Sequence, residues 1–284
     1  MNKDARILRC PQCGGSLLLH GTSLVCSCEA RLFELEDGIY RDSGLRQSAI
    51  AEMKVRDREA RGYLQHAKFP TQIAVFKAWL SGVAGSGSDS QSGRQGKLAL
   101  DLGCGPGPYT GMLQEAGLSV LALDMSFESL KVNAAACRAG SHNGDNSFIQ
   151  ADLNELYLMS ESVDLIVMAD FLQHLGSRLQ RERLLQQVFA ALRPGGSFCL
   201  SFFNLNIKNY LKGDVHGNFA QGNISYERLT VPNVLASFPA TIVLEQVKPM
   251  NIFHGATLDA LATSLPGAFW LARMAFIAGR KAMH

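Results

Sequence analysis

Residues 98–110 read LALDLGCGPGPYT, an apolar run that ends in glycines at 103, 105 and 107, with Asp101 two residues ahead of the first. A glycine-rich turn between a strand and a helix exposes backbone N–H groups and lets the chain come close to a ligand. Two large ligand classes use such a turn, dinucleotides and S-adenosylmethionine. The dinucleotide spacing needs a glycine at 108, where Pro108 stands, so the pattern leans away from a nicotinamide cofactor. Two further acids sharpen the chemistry. VLALDMS places Asp124 at the end of a second apolar run, 17 residues after Gly107, where a carboxylate can accept hydrogen bonds from both hydroxyls of a ribose. FIQADLNEL places Asp152 at the end of a third, where an acid can accept from an adenine amino group while the Leu153 N–H meets a ring nitrogen.

These residues need a frame that brings them together. From residue 97 onward the pattern predicts strands at 97–102, 119–124, 147–151, 163–169 and 197–203, alternating with helices at 108–116, 126–139 and 179–192. ALRPGGSFCLSFF reads as a helix end, a Pro-Gly-Gly turn and a buried strand, and TIVLEQVKPMNIF and LARMAFIAGRKA offer two more strands. Such alternation predicts an α/β fold with a parallel sheet wrapped on both faces. The glycines and the three acids then share the carboxyl edge of the strands, where open α/β sheets bind ligands.

LDLGCGPG, LALDMS, QADL, DLIVMAD and LRPGG, in this order, resemble the class I S-adenosylmethionine-dependent methyltransferases over roughly residues 97–204. The resemblance implies a seven-stranded Rossmann-like sheet that closes with an antiparallel strand pair. It also implies a cofactor site of Asp101, Gly103, Gly105, Gly107, Asp124, Met125, Asp152, Leu153 and Ala169. The glycine turn would contact the methionine part, Asp124 the ribose and Asp152 the adenine. Cys104 is read as packing, because methyl transfer from a sulfonium needs no covalent intermediate.

A second constellation lies near the start. Cys10 and Cys13 have two residues between them, and Cys26 and Cys28 follow after a further twelve residues with one residue between them. Four thiolates in two close pairs build a closed structural zinc site, and Gly14 and Gly15 permit the tight knuckle. The stretch, including its DGIYR close, is similar to the zinc-ribbon activators that partner methyltransferases. The spacing Cys26-x-Cys28 is one residue shorter than the commonest knuckle, and His20 is read as solvated. Three units follow: a zinc-ribbon-like module at 1–42, a helical segment with a Gly/Ser-rich connector at 43–96, and a methyltransferase domain at 97–284. The ribbon is expected to have its own core, so that losing one thiolate unfolds 1–42 locally.

The chain of 284 residues, 47% hydrophobic and 18% charged with a formal net charge of +2, has the composition of an ordinary soluble protein and neither demands nor excludes a nucleic-acid partner. No apolar run reaches the ~20 residues that span a bilayer, and MNKDARILRC lacks the apolar core of a signal peptide. A cytoplasmic location without a membrane partner is expected, which makes the seven cysteines thiols or metal ligands.

A methyl donor says nothing of the acceptor. After the fourth core strand stands MADFLQHLG, with no Asn/Asp-Pro-Pro-aromatic run for base amines, and His174 is a candidate base or acceptor-orienting group. Residues 190–281 resemble the tRNA 5-carboxymethoxyuridine carboxyl methyltransferases, on the matches Phe202-Phe203-Asn204, Gly217-Asn218-Phe219 and Phe253-His254. That resemblance implies Asn204, Asn218 and His254 orienting a carboxylate while Phe203 and Phe219 stack on a planar ring, with Arg193, Lys208 and Lys212 offering some charge to phosphates. A carboxylate is already anionic at neutral pH, so catalysis would reduce to alignment and exclusion of water. The leading reading is therefore methylation of a carboxylate on a modified wobble uridine in tRNA. The second is a small-molecule O- or N-methyltransferase, as in quinone or natural-product pathways, and the third a cofactor-binding scaffold.

Overall fold

The computed structural model describes residues 7–10, 12–28, 32–42, 44–45, 47–66, 70–85, 96–140, 146–219, 224–253 and 256–283. Four short strands come first, β1 (Leu17–His20), β2 (Ser23–Cys26), β3 (Leu32–Glu36) and β4 (Ile39–Asp42), then two helices, α1 (Gln47–His66) and α2 (Pro70–Gly85). The alternating region runs β5 (Leu98–Leu102), α3 (Pro108–Glu115), β6 (Ser119–Asp124), α4 (Phe127–Ala139), β7 (Ser147–Gln150), β8 (Val163–Met168), α5 (Arg178–Ala191) and β9 (Leu192–Phe203). It is followed by α6 (Ile207–Leu211), a hairpin of β10 (His216–Phe219) and β11 (Ile224–Glu227), α7 (Val231–Leu235), β12 (Ile242–Met250), α8 (Ala256–Thr263) and β13 (Met274–Lys281).

The seven expected core strands stand in the order β7-β6-β5-β8-β9-β13-β12, parallel from β7 to β9, with β13 antiparallel to both β9 and β12. Every residue of β5 and of β7 is buried, as a parallel sheet covered on both faces requires. Helix α4 starts where Ser126 Oγ accepts from the Ser129 N–H at 3.1 Å, and α5 where Ser177 Oγ accepts from Gln180 N–H at 3.2 Å. The Pro-Gly-Gly turn is a bulge rather than an interruption. Strand β9 begins at Leu192, opposite Val163, and its register slips before Leu165 meets Ser197. Residues 81–85, expected in the connector, belong to α2, and residues 86–95 lie outside the described residues.

The amino-terminal strands change the architecture. Strand β4 pairs in parallel with β7, Tyr40 opposite Ile149, so the sheet has eleven strands and β7 is not its edge. Backbone bonds from Arg9 N to Tyr157 O (2.8 Å) and from Met159 N to Ile7 O (2.7 Å) add a second seam. One apolar cluster joins Leu8, Cys10, Leu24, Cys26 and Phe33 to Ile149, Leu153 and Leu156. The expectation of a separate ribbon core is thus corrected. Four strands of four or five residues cannot bury an apolar face alone, and they bury it against the edge of the larger sheet.

Candidate functional site

A cavity of about 570 Å³ opens at the carboxyl edge of β5, β6 and β8. Its floor is the turn after β5. Gly105, at φ +53°, has open space where a Cβ would stand, whereas a Cβ at Gly107 (φ +94°) would sit 2.2 Å from the Asn133 side chain. The first lets a ligand approach the backbone and the second lets α4 pack under the turn. Asp124 secures the turn: its Oδ2 accepts from Gly105 N–H at 2.9 Å and its Oδ1 from Ser126 N–H at 2.8 Å. Burial pushes the Asp124 carboxyl up, against the stabilising Ser126 N–H, the Arg56 guanidinium and the Gly105 N–H.

Gly103, Gly105, Asp124, Met125, Asp152, Leu153 and Ala169 all line the cavity. Asp101 and Gly107 are not among the lining residues. Asp101 is fully buried, takes a 2.6 Å bond from Thr110 Oγ1, and is pushed up to about 7 by burial. Asp101 thus braces the turn against α3.

Of the residues expected to meet an acceptor, His174, Phe203 and Phe219 line the cavity. Ring centroids lie 6.0 Å apart for Phe203 and Phe219 and 4.6 Å apart for the stacked pair Phe219 and Tyr226, with His174 6.3 Å from Phe203. His174 Nδ1 lies 2.9 Å from the Ser225 carbonyl. Burial first, and Arg56 second, push the imidazole down to about 4, opposed by the Ser225 bond. Asp170, in a left-handed conformation at φ +55°, takes a bond from Ser201 Oγ and is pushed up to about 6 by burial.

Two expected acceptor residues, Asn204 and Asn218, are not brought to the cavity. Asn204 is buried with Nδ2 donating to Phe269 O (2.8 Å) and Ala272 O (2.9 Å), so its amide holds the segment that leads into β13. Asn218 sits in β10 opposite Ser225, exposed and outside the lining. His254 lies outside the described residues. Arg193 is committed to Asp164 at 2.6 Å, at the start of β8 and hence at the opposite edge of the sheet.

Sequence reasoning missed the roof. Helix α1 contributes Glu52, Arg56, Glu59 and Ala60 to the lining. It is pinned by Asp57 Oδ1, which accepts from Ser126 Oγ (2.6 Å) and Glu128 N–H (3.1 Å) at the start of α4. Arg56 is bonded to Glu52 at 2.5 Å, an i,i+4 pair legible in AEMKVRDREARGYL, but nothing local says that this face covers a cavity. Among the described lining residues, five carboxylates (Glu52, Glu59, Asp124, Asp152, Asp170) face one guanidinium. That field favours a cationic ligand such as a sulfonium. The volume, the open backbone at Gly105 and the buried carboxylate of Asp124 fit S-adenosylmethionine.

The four cysteine sulfurs lie within 4.8 Å of one another, with Sγ–Sγ separations of 3.6 Å for Cys10–Cys28, 3.3 Å for Cys13–Cys26 and 3.2 Å for Cys26–Cys28. Gly15 N–H points at Cys13 Sγ (3.4 Å), and the Cys28 N–H and thiol together with Cys13 lower the Cys26 thiol to about 6. Convergent soft donors at this spacing fit a tetrahedral zinc ion.

The sheet order and the glycine turn with its two strand-end acids define an S-adenosylmethionine-dependent methyltransferase domain. Residues 100–200 match the family described as methyltransferase domain. A ubiquinone biosynthesis O-methyltransferase of Cupriavidus pinatubonensis is 25% identical over 195 residues, 65% of this chain and 70% of that protein. One of Coxiella burnetii is 31% identical over 41% of this chain and 48% of its own length, so the chain spans between half and seven tenths of these relatives. Among solved structures, the Burkholderia thailandensis 1,6-didemethyltoxoflavin-N1-methyltransferase superposes with TM-score 0.55 at 17% identity, covering 89% of this chain and 96% of that one. A complex of a Haloferax volcanii methyltransferase activator with a methyltransferase gives 0.51 at 17%, covering 82% and 97%.

Proposed function

We propose that the chain methylates a small planar acceptor, with an aromatic hydroxyl compound the class the cavity fits best. The observation that carries this reading is His174. A carbonyl can only accept, so Nδ1 donates to Ser225 O and Nε2 keeps its lone pair. Bound S-adenosylmethionine would supply an electrophilic methyl group. An acceptor hydroxyl donates to Nε2, its ring packs against Phe203 and Phe219, and its oxygen is held in line at ~3 Å. The acidic lining disfavours an anionic acceptor, and Asn204, Asn218 and Arg193 stand elsewhere, so the tRNA carboxylate reading loses its local support. The ubiquinone relatives support the small-molecule class. The test is turnover of catechol-type acceptors against undermethylated tRNA; methylation of tRNA alone would overturn the reading.

His174→Ala is expected to lower kcat on the order of 10²–10⁴-fold with cofactor affinity retained. A histidine pushed down to about 4 is the free base above that pH and loses its lone pair as pH falls through it. The rate should therefore be level above ~pH 5 and decline below, rather than break near 6–7. A flat neutral profile thus does not separate a base-assisted hydroxyl from an ionised carboxylate. A break near 6 would point to Asp170 instead.

Arg56 is the group we assign to the carboxylate of the cofactor's methionine part, taking it over from Glu52. Arg56→Gln should then weaken S-adenosylmethionine binding on the order of tenfold, from the loss of a charge-assisted bond, while leaving 5′-methylthioadenosine unaffected. Equal losses for both ligands by calorimetry would remove the assignment. The four cysteines are read as a structural zinc site.

A further inference from the structure

Residues 256–272, ATLDALATSLPGAFWLA, contain one charged side chain, Asp259. That carboxylate is buried, accepting from the N–H groups of Asn251 (2.8 Å), Ile252 (2.6 Å) and Phe253 (3.1 Å). The outer face of the segment is therefore uncharged. It is also apolar: Leu258, Leu261 and Leu265 stand at i, i+3 and i+7, and they, Trp270 and Leu271 are each more than half exposed. Monomeric proteins rarely leave such a contiguous patch without use.

A second exposed pair, Tyr210 and Leu211, lies on α6 between Lys208 and Lys212. The two pieces are joined through Asn204, whose Nδ2 binds the carbonyls of Phe269 and Ala272 two residues before α6's cap. Both flank the catalytic edge. Met274, which ends the segment's loop, pairs with Phe203 of the cavity wall and with Met250.

We propose that this face docks on an anionic lipid bilayer. Across 204–213 and 256–273 the exposed charged side chains are Lys208, Lys212 and Arg273, all positive, around an apolar centre that ends in a tryptophan. Leucines and an indole enter the headgroup boundary while cations meet lipid phosphates. A second copy seated on the same face would bring the like-charged rims together, and a nucleic acid would leave the leucine stripe without a counterpart. The aromatic-acceptor reading bears only on what such a surface delivers: an acceptor dissolved in the lipid would reach the cavity edge directly. This peripheral contact is separate from spanning, and no helix among the described residues is long and apolar enough to cross a membrane.

The test is co-sedimentation of the full-length protein with vesicles of phosphatidylcholine alone and of phosphatidylcholine mixed with phosphatidylglycerol. Binding to the mixed vesicles is expected, with a blue shift of Trp270 emission and weakening at high salt. The double variant Leu261→Glu/Trp270→Glu should lower partition about tenfold or more, and Lys208→Glu/Lys212→Glu severalfold, both with unchanged melting and cofactor affinity. Leu179→Glu, an equally exposed leucine on α5, should bind as the parent does. Three results would each overturn the proposal. They are no sedimentation with either vesicle, a doubled mass in light scattering that the Leu261/Trp270 variant abolishes, or retention of tRNA that depends on the lysines alone. None of them decides acceptor identity, which the turnover assay settles by itself.

Discussion

Asp124→Ala is expected to reduce S-adenosylmethionine affinity on the order of a hundredfold or more. Each charge-assisted bond from a ribose hydroxyl to this carboxylate contributes about 1.5–3 kcal/mol, and two such bonds compound. The same carboxylate also holds the floor of the site, since its two oxygens take the N–H groups of Gly105 and Ser126. Removing it frees the turn that the ligand must meet, so recovery by cofactor excess should be incomplete. Asp124→Asn keeps one acceptor oxygen and the shape, and should fall between the parent and the alanine variant. Calorimetric titration with circular dichroism as a fold control makes the measurement. Affinity equal to the parent's would remove Asp124 from the cofactor site, and preferential binding of a nicotinamide dinucleotide would contradict the class.

The largest effect on stability is expected from the cysteine cluster. Protein purified without chelator should hold about one zinc ion per chain by elemental analysis. Cys10→Ser, at a fully buried ligand position, should then lower the melting temperature by about 10 °C or more, because a loss of several kcal/mol moves a domain of this size by ~2–4 °C per kcal/mol. The form of the transition matters as much as its midpoint. Strands β1–β4 continue the main sheet, and Cys10 and Cys26 share an apolar cluster with Ile149 and with Leu153, which lines the cavity. Melting should remain one cooperative transition that takes the cofactor site with it. Two resolved transitions, the lower confined to residues 1–42, would restore the picture of an independent ribbon. Metal below a tenth of an equivalent would favour a metal-free ribbon.

Local chemistry made most of the cofactor edge legible in the sequence. The boundaries of β6 agree with the apolar run at 119–124, and those of α4 and α5 lie within a residue of their patterns. A glycine turn and strand-end acids act over a few residues, so spacing alone reports them. The four thiols were legible for the same reason: two short spacings and a knuckle set the ligand pattern, and the sulfurs lie within 4.8 Å of one another. The acceptor side behaves differently. Phe203 and Asn204 are neighbours in sequence, yet one faces the cavity and the other is turned to the carbonyls of 269 and 272, because successive side chains at a strand end take opposite faces. Arg56 and Glu59 belong to a segment whose sequence shows only a helix, and it is the contact of Asp57 with the start of α4 that lays α1 across the cavity. The ribbon's place in the sheet was likewise hidden. Parallel pairing between Tyr40 and Ile149 joins residues more than a hundred positions apart, and only the need of a short edge to bury its apolar face selects that partner.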